Sequence, residues 1–138
     1  MRRTGHPAHV PTPTDLSGLT DFFDRYGSAL TGGDVAAVAS CYALPGMVVA
    51  DSYSFTFTSP AAVALSFLGA APSYEDQQIV AAHAQMRDVQ RLSDALILVL
   101  VEWEYLDSSG TAVPGESYRY LLRADADGPR ITTVIASS

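Results

Sequence analysis

Residues 95–105, Ala-Leu-Ile-Leu-Val-Leu-Val-Glu-Trp-Glu-Tyr, restrict this chain more than any other stretch. The run from Ala95 to Val101 is continuously apolar and rich in Val and Ile, and Glu102 and Glu104 then alternate with Trp103 and Tyr105. That pattern reads as one long central strand covered on both faces at its start. Because side chains alternate along a strand, Trp103 and Tyr105 share one face and the two glutamates share the other. Such a strand can floor a packed core or a pocket.

The chain around it has 138 residues, 48% of them apolar, which is enough for one domain with a real core and too little for two. Lys is absent, so Arg supplies all 8 basic residues against 15 acidic ones, for a net charge of −7. An acidic surface repels phosphates, so nucleic acid and anionic membranes are disfavoured as partners. The lack of Lys points to a GC-rich, bacterial genome. Cys41 is the single cysteine, which excludes an intrachain disulfide and a thiolate metal cage and fits a cytoplasmic address. No apolar run follows the basic N-terminus, and none reaches the length of a membrane span.

Residues 1–13 hold three prolines and two histidines, His6 and His9, the composition of a disordered leader. The domain is expected over residues 14–138. Leu16, Leu19, Phe23, Tyr26 and Leu30 recur at helical steps and predict a first helix ending at Gly32 and Gly33. Asp34 can cap a second, shorter helix reaching Tyr42, with Pro45 preventing its continuation. Residues 47–50 and 54–58 read as a strand hairpin turning at Asp51 and Ser52. Ser59 and Pro60 start a third helix, expected to run to about Gly69. Segments 78–89, 95–106, 113–124 and 131–136 then read as four strands joined by short polar turns, an antiparallel meander. The element order defines an α+β domain with three helices packed on a curved sheet, leaving a cone open near the helix ends.

Several residues could carry function. Tyr26 shares a stripe with core residues, and its hydroxyl either bonds a carbonyl or faces a cavity. Asp51 either caps its own turn or points inward among Val49, Tyr53 and Phe55, where desolvation would raise its pKa and make it a usable base. Trp103, Tyr105, Tyr118 and Tyr120 alternate so as to share a face, forming either core or the wall of an apolar pocket. His83, the only histidine in the domain, is a further pocket candidate or a structural residue. Glu102 and Glu104 could pair with Arg119 and Arg123 across the sheet if Trp103 lies opposite Tyr118. No metal-ligand spacing, phosphate loop, serine nucleophile motif or dinucleotide fingerprint is present, so no metal or cofactor is expected.

The pattern Phe23-Asp24-Arg25-Tyr26, Ala29-Leu30, Gly33-Asp34, Ala37, Tyr42, Val48-Val49-Ala50-Asp51 and Gly128-Pro129-Arg130-Ile131 resembles the nuclear transport factor 2-like superfamily. That group includes ketosteroid isomerases and SnoaL-like polyketide cyclases. The resemblance implies acid/base chemistry of isomerase, cyclase or dehydratase type on a largely apolar substrate. Tyr26 matches the tyrosine that donates a hydrogen bond to the enolate oxygen, and Asp51 matches the carboxylate that shuttles the proton. The third member of the isomerase set falls on Tyr120 or a neighbour, where no carboxylate stands. A non-catalytic ligand-binding or dimerisation module is the alternative. Both faces of residues 96–101 are apolar while the helices cover one, so a homodimer through the outer sheet face is expected, with Glu102, Glu104 and Arg119 at its rim.

Overall fold

The computed structural model describes residues 13–68 and 78–136. Helix α1 (Pro13–Thr31) is followed by α2 (Val35–Ser40), strands β1 (Tyr42–Ala50) and β2 (Ser54–Phe57), helix α3 (Pro60–Leu68), and strands β3 (Ile79–Arg91), β4 (Leu96–Asp107), β5 (Ala112–Asp125) and β6 (Gly128–Ala136). The proposed leader lies outside the described residues, except that Pro13 opens α1. No helix among the described residues is long and apolar enough to cross a membrane.

The six strands form one curved, open sheet in the order β2-β1-β6-β5-β4-β3. All neighbours are antiparallel except β1 and β6, which run parallel. The domain is therefore α+β as expected, and β3 to β6 form the meander. Register shifts interrupt β3, β4 and β5, and an extra residue in one strand of a pair bends it and raises its twist.

Helix α1 lies on the Trp103 face of the sheet. Leu19, Phe22, Phe23, Tyr26 and Ala29 are buried along one stripe, as the helical period requires. Gly27 permits the approach, because a Cβ there would stand 2.9 Å from the Ala82 carbonyl oxygen and 3.1 Å from the Trp103 ring. Gly33 takes a left-handed conformation, φ +68°, that ends the helix, and the Asp34 carboxylate accepts the Ala37 N–H at 3.1 Å to start α2. Ser59 caps α3 in the same way, accepting the Ala62 N–H at 3.2 Å.

Two local expectations need correction. Helix α2 stops at Ser40, and Tyr42 begins β1 instead of ending the helix. The cause is long-range: the Ile131 N–H donates to the Cys41 carbonyl at 2.8 Å, drawing the segment into the sheet beside β6. Pro45 then falls inside β1, where the pairing with β6 is irregular between Tyr42 and Met47, a place a strand tolerates proline. The β4–β5 register also differs. Tyr118 lies opposite Val101, Arg119 opposite Leu100 and Arg123 opposite Leu96, with a shift between Glu102 and Glu104. Glu102 makes its ion pair with Arg87 of β3, at 3.4 Å.

The core is the layer between α1 and the sheet, where Ile97, Val99, Val101, Trp103 and Tyr105 of β4 are buried. Leu96, Leu98 and Leu100 face the other way and are half-buried.

Candidate functional site

Beside that core, a cavity of about 300 Å³ opens between α1, α3 and the β1, β2, β4, β5 and β6 strands. Most of its lining is aromatic. Trp103, Tyr118 and Tyr120 reach it from the sheet, as the alternation along β4 and β5 predicts, and Tyr26 reaches it from α1.

The floor is a continuous aromatic cluster. The Tyr26 ring meets those of Tyr42, Trp103 and Tyr120, each with centroids 6.0 Å apart. Phe23 backs Tyr120 at 5.3 Å. Polar tips within this cluster pair with one another, as buried polar groups must. The Tyr26 and Tyr42 hydroxyls are 2.7 Å apart, and the Trp103 indole N–H donates to the Tyr120 hydroxyl at 2.9 Å. Burial, reinforced by Tyr42 and Tyr120 nearby, pushes the Tyr26 hydroxyl well above the usual tyrosine range. Burial likewise raises Tyr42, although its hydrogen bond with Tyr26 acts against it. Both hydroxyls are therefore neutral at physiological pH.

Asp51 is exposed and does not line this cavity. The Ala50 N–H donates to the Tyr53 carbonyl at 2.8 Å, closing a tight turn whose two central residues, Asp51 and Ser52, are thrown outward. Asp51 instead lines a shallow depression beside the cavity mouth, whose other walls include Glu116, Tyr118 and Ala136, residues shared with the cavity. The inward placement that would desolvate Asp51 is not found, and Tyr26 and Asp51 do not meet in one cavity.

His83 also departs from expectation. It pairs directly across from Glu104, on the face opposite Trp103 and Tyr105, and is exposed there. The strand period leaves Ala82 and Ala84 on the inner side, packed against the core. His83 is therefore no part of the cavity wall.

Sequence reasoning missed Glu116. It is the one charged side chain among the described residues lining the cavity, and its Oε2 accepts the Tyr105 hydroxyl at 2.9 Å. The signal was present, since Glu116, Tyr118 and Tyr120 alternate and so share a face. Gly115 lets β5 cross here: a Cβ would stand 2.8 Å from the Trp103 carbonyl oxygen and 2.7 Å from the Tyr105 ring. No group of three or more His, Cys, Asp or Glu residues able to hold a metal occurs among the described residues.

The family described as NTF2-like protein (DUF6841) matches residues 17–138, and the chain belongs to it. No curated protein matches. Among solved structures, Aln2 from a Streptomyces species superposes with a TM-score of 0.73 at 17% identity, covering 92% of this chain and 92% of that one. An NTF2-like protein with a cystatin-like fold from Novosphingobium aromaticivorans gives 0.65 at 16% identity, over 90% and 81% of the two chains. A ketosteroid isomerase-like protein from Erwinia carotovora atroseptica gives 0.61 at 18%, over 91% and 97%. At such identities these likenesses establish a shared fold, and a shared fold hosts many functions.

Proposed function

We propose that this chain takes a small, largely apolar molecule into the cavity between α1 and the sheet. One observation carries the reading: a cavity of about 300 Å³, walled mainly by aromatic rings, lies beside the packed core. Ligand sites have this character, apolar walls with a few fixed polar groups. A thermal-shift screen of steroid-like and polyketide-like compounds tests it. A ligand held only by the folded state, present at a hundred times its Kd, should add about 2.7 kcal/mol of apparent stability. A screen in which no compound of fitting size raises the Tm would sink the reading.

Acid/base chemistry is the second reading, and the neutral Tyr26–Tyr42 hydroxyl pair favours it, because linked neutral hydroxyls lining the cavity can direct a hydrogen bond at a developing oxyanion. Asp51 would be the base, for a ligand long enough to pass from the cavity over the shared Glu116 and Tyr118 wall into the adjoining depression. Once a substrate is identified, Tyr26→Phe and Asp51→Asn should each slow turnover by about a hundredfold or more. Full turnover in both variants would remove these two residues from the mechanism. The buried free thiol of Cys41 fits a cytoplasmic setting.

The same proposal includes a homodimer through the outer sheet face. Leu98 lies opposite Leu121, with Leu96 and Leu100 beside them, and Thr133 and Met47 continue the surface onto β6 and β1. Met47 is 38% exposed. A two-fold partner would bury this surface symmetrically, with Arg119, Glu102 and Glu104 at its edge. Light scattering at micromolar concentration should give twice the chain mass. Leu98→Arg should shift it toward the chain mass without unfolding the domain, and a wild-type monomer at every concentration would exclude the dimer.

A further inference from the structure

The ligand class follows from an asymmetry in the cavity's chemistry, on the reading that the cavity is a binding site. Its walls offer ring faces and neutral hydroxyls, and among the described residues Glu116 alone carries charge. Among the described residues no arginine or histidine lines it, so an anionic ligand would meet no counter-charge from them. The Tyr105 hydroxyl fixes the Glu116 carboxylate at the mouth through Oε2, a contact that uses one of several lone-pair positions on the two oxygens.

Partly exposed aromatic side chains also line the cavity. Tyr53 and Phe55 stack with centroids 6.1 Å apart and planes 7° apart, yet they are 57% and 41% exposed. Both line the cavity, as does Tyr118 on the wall shared with Glu116. Ring faces are electron-rich and attract cations, most strongly where water is partly excluded. A carboxylate lining the same cavity as these rings, in a chain of net charge −7, is complementary to positive charge at both short and long range.

We infer that the cavity binds an apolar molecule bearing a cationic amine, its body among Trp103, Tyr26 and Tyr120 and its ammonium at the mouth between Glu116 and the rings of Tyr53, Phe55 and Tyr118. A neutral or acidic molecule of the same shape binds more weakly.

The test uses three probes of matched size: benzyltrimethylammonium, its uncharged carbon isostere neopentylbenzene, and benzenesulfonate. Binding to the full chain is read from the indole N–H resonance of Trp103, which is unambiguous because the chain has one tryptophan. The cation should bind about tenfold more tightly than the isostere, and the anion least tightly of all. Glu116→Gln and Tyr53→Leu, at exposed positions where folding is checked by thermal melt, should each weaken the cation by about fivefold and leave the isostere unchanged. If the isostere binds as tightly as the cation, the cationic ligand class is overturned while the cavity remains a binding site. If the cation is preferred but neither variant weakens it, the assignment to this mouth is overturned. If no probe shifts the indole resonance, the binding-site reading falls and this inference with it.

Discussion

Replacing Trp103 with alanine should lower the stability of the domain by about 3 to 5 kcal/mol, the usual cost of deleting a large buried aromatic side chain. Trp103 is 4% exposed and stands where helix and sheet meet. Its ring contacts Phe23 at 6.4 Å and Tyr26 at 6.0 Å, and Gly27 has no side chain where that ring approaches α1. The variant would leave a void against α1 and remove the indole N–H that donates to the Tyr120 hydroxyl. A domain of this size is commonly stable by about 5 to 15 kcal/mol, so this one change removes a large share. Trp103→Phe keeps most of the packing and loses mainly the hydrogen bond, for about 1 kcal/mol plus the smaller ring's void. Denaturant unfolding followed by circular dichroism checks both, since tryptophan fluorescence is lost with the residue. A loss below about 1 kcal/mol for the alanine variant would show that α1 is not anchored at this point.

Why was this strand legible while its neighbours' pairing was not? The alternation after Val101 depends only on the two-residue period of an extended chain, so Trp103 and Tyr105 were assignable to one face without any partner strand. The same holds for Tyr118 and Tyr120, and all four line the cavity. Register is different, because it is set between strands. The shift between Glu102 and Glu104, where Gly115 and Glu116 stand between the paired Pro114 and Ser117, moves the pairs on either side out of one register. The expected Glu102 pairing with Arg119 fails because the register sets Ser117 opposite Glu102 and Arg119 opposite Leu100, and Arg87 on the other side takes the role. The end of α2 was obscured similarly: nothing local to Cys41 and Tyr42 announces that Ile131, far along the chain, will claim the Cys41 carbonyl.

The candidate site was readable in part for the same physical reasons. A stripe on α1 places Tyr26 inward, whatever the sheet does. Asp51 depended on a turn, and a two-residue turn reverses the direction of whatever stands at its tip, so a matching position in a related family was not enough to place its side chain in the cavity. Glu116 was accessible through its alternation with Tyr118 and Tyr120. It was passed over because the expected carboxylate position lay further along β5, at Tyr120.

Raising the pH should unfold this domain above about pH 10 more steeply than exposed tyrosines alone would produce. Tyr26 and Tyr42 are buried together, and their hydroxyls share one hydrogen bond. Burial raises both pKa values in the folded state, Tyr26 with further help from its tyrosine neighbours. In the unfolded chain the same groups ionise near the ordinary value of 10.0. Once the pH passes that value, the unfolded state has released protons that the folded state still holds, so it binds fewer protons and stability falls as pH rises. Below pH 10 this contribution is fully present, and above it each retained proton costs about 1.4 kcal/mol per pH unit, or roughly 2.7 kcal/mol for the pair. The loss continues until the folded-state values are reached or the domain unfolds. Denaturant midpoints measured between pH 8 and 12 should therefore stay level at first and then drop. Tyrosinate absorbance from the buried pair should rise only together with loss of the circular dichroism signal. Tyr42→Phe, which removes one titrating hydroxyl, should halve the slope attributable to the pair. Tyrosinate appearing at full amplitude while the domain remains folded would mean that Tyr26 and Tyr42 are open to solvent, contrary to the packing that forms the cavity floor.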